Sequence, residues 1–482
     1  MKNILFVSSE AMPFIKTGGL ADVVGSLPLA IDKNYFDVRV MLPKYALNKY
    51  QDKNEYITNF YMDYEGRMVY VGLFKQNYHG LTYYFIDNEE FFNTPYVYSD
   101  DSEYEIRRYA FFSKAALSAL KVLDYHPDLI HCNDWQTGLI PVYLKDGFSE
   151  DYFYHDIKTV MTIHNLKFQG RYDIKRAQEI TGLANYYFSS DKLEAYHDAN
   201  LLKGGLVYSD ALTTVSPSYA EEIKTPYYGE GLDGLLRARS NSLRGIVNGI
   251  DTTLFNPSTD SFINHCYDVK NFRKEKYKNK FALQKELNLE VNRKPLMIAI
   301  VSRLTDQKGF DLIACIIDEI LANDNIQIVL LGTGDKRYEE LFKEMEYRHP
   351  LKMRAIIAYS EEMAHKIYAG SDLFSMPSLF EPCGLSQLIA LTYGTLPLVR
   401  ETGGLKDTVL PYNEFEKSGN GFSFTNYNAH EMMKVLRYAE HIYFDKKIEW
   451  NKMIDRAMSI DYSWHNSALK YQEMYDWLID NK

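Results

Sequence analysis

The residues best typed and spaced for chemistry lie in one stretch, Ser378-Leu379-Phe380-Glu381-Pro382-Cys383-Gly384-Leu385-Ser386-Gln387. Glu381 is a carboxylate, an acceptor suited to sugar hydroxyls. The apolar run before it, closing at Pro377, reads as a short buried strand, and Ser386 to Tyr393 reads as the first turns of a helix. A helix start offers unpaired backbone N–H groups and partial positive charge, both suited to phosphate. Gly384 has no side chain, so a ligand can come close to the backbone of Cys383, Leu385 and Ser386. In open α/β sheets, ligands bind beyond the carboxyl ends of strands, which is where this loop falls.

Other candidates are weaker one by one. Arg303 and Lys308 share a strand-end loop and could clamp a diphosphate, Arg by bidentate contact and Lys as a point charge; a solvated loop fits equally. Lys16-Thr17-Gly18-Gly19-Leu20 is a second glycine loop, with Asp22 just inside the helix that follows. Asp134, beside Trp135, suits carbohydrate or caps a helix over Trp135–Leu144. His131 and His164 end strands, where spacing favours satisfied core histidines. Cys383 reads as a small space-filler, since no base lies beside it. Tyr359 could stack on a base or pack in a core.

These loops need a scaffold. Ile4–Val7 and Leu296–Val301 are continuous apolar runs typical of central parallel strands, and each opens an alternation of strands and helices. Two doubly wound α/β domains fit better than one sheet across 482 residues. Asn54 to Asp87 alternates aromatic and polar residues, broken at Glu65-Gly66 and His79-Gly80, and reads as an antiparallel meander inserted in the first sheet. Residues from Pro257 to Asn292 are polar and Lys-rich, without a strong strand. Tyr462–Ile479 reads as an amphipathic helix whose Trp464, Tyr471 and Trp477 should pack back on the first domain.

Composition narrows the class. A formal net charge of −11 argues against a nucleic-acid partner. The four cysteines are far apart, which suits reduced thiols and neither a disulfide framework nor a zinc site. No apolar run approaches a membrane span. A cytoplasmic protein is expected, with no metal-ligand spacing. Some of the 40 tyrosines could form sugar-stacking surface.

Taken together, the stretches resemble the bacterial glycogen and starch synthase family. They are Lys16 to Val23, Asn133-Asp134-Trp135, Thr162 to Asn165, Val247 to Asp251, Ser302-Arg303-Leu304, Gln307-Lys308-Gly309, Glu381 to Leu385 and Thr402 to Leu405. Many retaining relatives carry a second glutamate eight positions after the first; here that position is Ile389, a departure that narrows the match to this family. The resemblance implies a GT-B fold of two Rossmann-like domains facing a deep cleft. It implies residues 1–246, completed by 460–482, as the acceptor-side domain and 247–459 as the nucleotide-sugar domain. It implies transfer of glucose from ADP-glucose to the nonreducing end of an α-1,4-glucan, with retention and without a cofactor. Lys16, Gly18, Gly19 and Asp22 would sit near diphosphate and glucose, and Arg303 and Lys308 on the phosphates. Tyr359 would stack on adenine. Glu381 and the backbone of Cys383, Gly384 and Leu385 would hold glucose, with the Ser386 N–H toward phosphate. His164 and Asn248 would line the donor site, and Asp134 and Tyr96 the acceptor side. A GT-B enzyme using UDP-glucose, or a silent glucan-binding protein, is the alternative.

Overall fold

A computed structural model describes residues 1–481. The chain forms two compact units, Met1–Asn248 with the segment from Trp464 onward, and Gly249–Ser463. The expected boundaries after residues 246 and 459 thus move slightly forward. The Ser467 hydroxyl donates to the Val247 carbonyl at 2.5 Å, keeping Val247 in the first unit. The Ile250 N–H donates to the Tyr462 carbonyl at 2.9 Å, keeping Tyr462 in the second.

In the first unit the strands are β1 (Lys2–Val7), β2 (Phe36–Pro43), β3 (Glu55–Tyr64), β4 (Arg67–Tyr78), β5 (Leu81–Asp87), β6 (Leu129–Asn133) and β7 (Lys158–Ile163). Three short strands follow, β8 (Arg171–Asp173), β9 (Glu194–Ala195) and β10 (Asp198–Asn200), then β11 (Ala211–Thr214) and β12 (Leu243–Gly245). Among the described residues, one nine-stranded sheet runs β12-β11-β7-β6-β1-β2-β5-β4-β3, and β8, β10 and β9 form a small separate one. The meander does not interrupt the sheet. β5 pairs parallel with β2, and β4 and β3 extend the edge antiparallel. The chain leaves β1 toward β2 on one side and later returns to β6 on the other. That reversal is where open α/β sheets leave a crevice.

The helix His465–Asp480 belongs to this first unit. Tyr471, Met474, Tyr475 and Leu478 follow helical spacing and are buried in one core with Phe6, Leu27 and Phe36. Trp464 is buried at the helix start, but Trp477 falls off the stripe and stays 57% exposed, against expectation. The helix also begins later than Tyr462.

The second unit has β13 (Leu296–Val301), β14 (Ile326–Leu331), β15 (Met353–Ile356), β16 (Leu373–Met376), β17 (Leu396–Arg400) and β18 (Phe422–Phe424). They form an all-parallel sheet, β15-β14-β13-β16-β17-β18. Its reversal lies between β13 and β16, so the loops that follow those two strands are neighbours. The Lys-rich stretch holds a helix the pattern hid, Phe272–Glu286. Its Lys280 is buried on Asp372 at 2.6 Å, and its buried Lys276 donates to the Thr395 hydroxyl at 2.7 Å. Two lysines point inward, so apolar periodicity understates the buried face.

Candidate active site

The reversal in the second sheet brings two of the sequence candidates into contact. Lys308, after β13, pairs with Glu381, after β16: Nζ to Oε2 is 2.5 Å. Glu381 is only 6% exposed, and the Ser378 hydroxyl donates to the same oxygen at 3.1 Å. A buried carboxylate needs such partners. The Gln307 carbonyl accepts from the Leu379 N–H at 2.9 Å, which ties the two loops together through their backbones. Arg303 lies on the same loop as Lys308, exposed and without an ion pair among the described residues. Tyr359, beyond β15, is 82% exposed, so the packing alternative fails.

The Glu381 loop is shaped by its own neighbours. The Gly404 N–H donates to the carbonyls of Glu381 at 3.2 Å and Pro382 at 3.1 Å. Gly403 approaches the Glu381 carbonyl so closely that a Cβ would collide with it. Gly384 sits at φ +73°, where a side chain would be strained and would strike Gln387. Glycine there is required by the loop itself, a reason the sequence reading did not supply. The Gln387 amide donates to the carbonyls of Cys383 at 3.0 Å and Gly384 at 2.9 Å. Cys383 is buried, as a space-filler should be. Leu385 precedes the helix Ser386–Thr392, and Ile389 is buried within that helix.

In the first unit a second constellation forms at the reversal between β1 and β6. Asp134 does not cap a helix; its side chain makes no capping bond, and its backbone sits at φ +56°. Non-glycine residues are held there only by surrounding structure. The Asp134 carboxylate accepts the His164 N–H at 2.8 Å. Burial pushes its pKa up from 3.8 to about 7, against the backbone hydrogen bonds of His164 and Asn165 and with help from the charge of Glu10. The His164 ring is half-buried, and Nε2 lies 3.0 Å from Asn133 Oδ1. The Asn133 amide N–H groups donate to the Val7 and His131 carbonyls at 3.1 Å each, so its oxygen faces His164, which carries hydrogen on Nε2. Desolvation holds the His164 pKa down at about 3, so the ring is neutral at pH 7. His131 is a core histidine, bonded to Tyr475 at 2.6 Å and Thr162 at 2.5 Å.

Lys16 pairs with Asp22 at 2.7 Å. Gly18 is extended and a Cβ there would meet nothing within 4 Å; Gly19 opens the helix Gly19–Ala30. Tyr96 is 40% exposed. Asn248 is buried, and its Oδ1 has no hydrogen-bond partner among the described residues. Sequence reasoning quoted Ser378 and Asn133 within their motifs without giving them a role, and it missed Glu10, whose buried carboxylate accepts the Thr17 N–H at 2.5 Å and braces the glycine loop. An acid three residues past a central strand was its only signal. Among the described residues no group of His, Cys, Asp or Glu clusters as metal ligands do, and no helix is long and apolar enough to cross a membrane.

The raised Asp134 pKa has a testable sign. An acid whose folded pKa exceeds its unfolded value binds protons more tightly when folded, so its contribution falls as pH rises from about 4 through about 7. Such a gap amounts to about 4 kcal/mol at most. Asp134→Asn, which mimics the protonated form, should therefore stabilise the first unit relative to wild type more at pH 8 than at pH 5. Thermal unfolding of both proteins across that range checks it, and a pH-independent difference would contradict the raised value.

Residues 3–238 match the family described as starch synthase catalytic domain, and residues 284–457 match glycosyl transferases group 1. The glycogen synthase of Lachnospira eligens is 60% identical over 480 residues, 99% of this chain and 100% of its own. The chain belongs to the glycogen synthase family. The glycogen synthase of Clostridium novyi is 50% identical over 478 residues, 98% of each chain. The solved catalytic domain of starch synthase IV from Arabidopsis thaliana, bound to ADP and acarbose, superimposes with a TM-score of 0.92 at 32% identity, covering 99% of both chains. A sucrose-phosphate synthase from Thermosynechococcus elongatus, 17% identical with a TM-score of 0.63, shares the fold alone. The protein is a glycosyltransferase built of two Rossmann-like units, the GT-B class.

Proposed function

We propose that the protein transfers glucose from ADP-glucose to the nonreducing 4-hydroxyl of an α-1,4-glucan with retention of configuration, using no cofactor. The observation that carries this reading is the Lys308–Glu381 pair at 2.5 Å, with the exposed Arg303 on the same loop as Lys308, at the reversal of a parallel sheet. A cationic pair of side chains suits a diphosphate leaving group, and a buried carboxylate beside it suits glucose hydroxyls. Support for the adenine base comes from Tyr359, exposed beyond β15, and from ADP in the structure of the Arabidopsis relative.

In this reading Arg303 and Lys308 take up charge as the bond from the sugar carbon to the diphosphate oxygen breaks. The acceptor hydroxyl forms the new bond on the same face and passes its proton to the leaving phosphate. Glu381 orients Lys308 and accepts glucose hydroxyls; it forms no bond to the sugar. In the first unit, Lys16, Gly18, Gly19 and Asp22 serve the diphosphate and glucose. Neutral His164 and Asn248, with its unpartnered amide oxygen, line the donor, and Asp134 and Tyr96 serve the glucan. We place the reaction in the cytoplasm, which the unpaired cysteines support.

Incubation with labelled ADP-glucose and glycogen should yield polymer label that α-amylase releases, with UDP-glucose giving at least about tenfold less. Equal use of UDP-glucose would overturn the donor assignment, and label that resists α-amylase would overturn the linkage.

A further inference from the structure

Two loops of the first unit converge on one buried carboxylate. Glu10, three residues past the end of β1, is 3% exposed. Its oxygens accept the Thr17 N–H at 2.5 Å and the Thr17 hydroxyl at 3.0 Å, which fixes the chain between Lys16 and Gly18. Oε1 also accepts the Tyr98 hydroxyl at 3.0 Å, and that hydroxyl in turn accepts from the Ser9 hydroxyl at 2.9 Å. Tyr98 lies two residues beyond Tyr96. The rest of its loop is held from the other side. The Val97 carbonyl accepts from the Arg108 guanidinium and from the Tyr109 hydroxyl, and the Ser99 N–H donates to Glu105 at 2.9 Å. Arg108 and Glu105 are themselves paired at 2.8 Å within the helix Ser102–Val122. Among the described residues, every polar partner of the Glu10 carboxylate thus belongs to one of two loops, one carrying Lys16 and Gly18, the other Tyr96.

We propose that Glu10 is a positioning residue which, through the Tyr98 hydroxyl, locks the glycine loop and the Tyr96 loop into one arrangement, so that donor and glucan subsites are set together. The inference rests on the roles assigned above to Lys16, Gly18 and Tyr96. Glu10 itself touches no substrate in this scheme, because its oxygens are enclosed and occupied by the loops. Burial raises its pKa on balance, and the Thr17 and Tyr98 hydrogen bonds oppose that rise. An acceptor held by several donors at once resists loosening more than one held by a single donor.

The test uses the full chain as Tyr98→Phe, Glu10→Gln and the double variant. Tyr98→Phe keeps the ring and removes only the hydroxyl, so it should fold even if Glu10→Gln does not. Steady-state kinetics with ADP-glucose and maltoheptaose should show KM raised about tenfold for both substrates in each single variant, the loss expected for one buried hydrogen bond. The double variant should be no worse than Glu10→Gln alone, because that change already breaks the link to the Tyr98 hydroxyl. A merely structural role would lower kcat through the active fraction and leave both KM values unmoved. That result, effects that multiply, or a rise for one substrate alone would overturn the proposal. Amide exchange provides a second arm that needs no turnover. In Tyr98→Phe, exchange around Thr17 and around Tyr96 should accelerate together by about tenfold. Acceleration of only one loop, or of neither, refutes the lock. If the wild-type chain transfers no glucose while both loops loosen together, the reading of the reaction fails and the lock stands.

Discussion

Lys308→Ala lowers kcat/KM by about a hundredfold to a thousandfold, with most of the loss in kcat. A hydrogen bond to a charged group contributes about 1.5–3 kcal/mol, and this substitution removes such a bond to the leaving phosphate. It also strands Glu381, 6% exposed, with only the Ser378 hydroxyl on the oxygen that Lys308 had held at 2.5 Å. Removing one member of a buried pair costs more than the pair contributes, because the remaining charge is left in a poorly solvating place. The leaving charge grows toward the transition state, so the loss appears in kcat as well as in affinity. Glu381→Gln keeps the size of the side chain and one oxygen acceptor, so it should retain more activity than Glu381→Ala. The cycle of Lys308→Ala with Glu381→Gln should be strongly non-additive, since the second change removes the stranded charge. Steady-state kinetics of the four proteins decide it. An unchanged kcat in Lys308→Ala, or strict additivity, would refute the pairing as a catalytic unit.

A chain ending at Ser463 fails to fold its first unit while its second stays folded. The removed helix contributes Trp464, Tyr471, Met474, Tyr475 and Leu478 to the core around Phe6 and Phe36. Each such side chain stabilises by about 1.5–3 kcal/mol when buried, so the set is worth roughly 10 kcal/mol, comparable with the whole stability of a domain. His131 would lose the Tyr475 hydroxyl on Nδ1 and keep a desolvated ring nitrogen without a partner. Amide exchange read unit by unit should show β1, β2 and β6 unprotected and β13, β14 and β16 protected. Protection of the first-unit strands in the truncated chain would show that the helix is dispensable. A milder full-length variant, Tyr475→Phe, should cost about 1 kcal/mol through the lost hydrogen bond.

How far the chain could be read before its structure differs from residue to residue. Leu296–Val301 is a strand with the limits its apolar run predicts, because a strand buried on both faces writes its whole length as apolar residues. The helix Phe272–Glu286 was not seen, because its buried face includes Lys276 and Lys280, whose partners Thr395 and Asp372 lie on distant segments. Asp134 looked like a helix cap, since Asp before a helical stretch usually is one. Its carboxylate instead reaches the backbone of His164, and β6 and β7 must pair before that is possible.

The amino-acid sequence determined where the reactive loops begin and end, because strand period, proline and glycine are local properties that hold wherever the segment lies. It also placed Glu381, Lys308, Arg303, Asp134 and His164 at the carboxyl ends of strands, and family resemblance assigned them a reaction. Only the tertiary structure decided which of them meet. Lys308 and Glu381 are 73 residues apart and touch because β13 and β16 are adjacent at the sheet reversal. Glu10 holds two loops, and the last helix serves the first unit, because strand order and chain return are set by the packing of whole elements. Local periodicity says which face of a segment is buried and nothing about the partner that buries it.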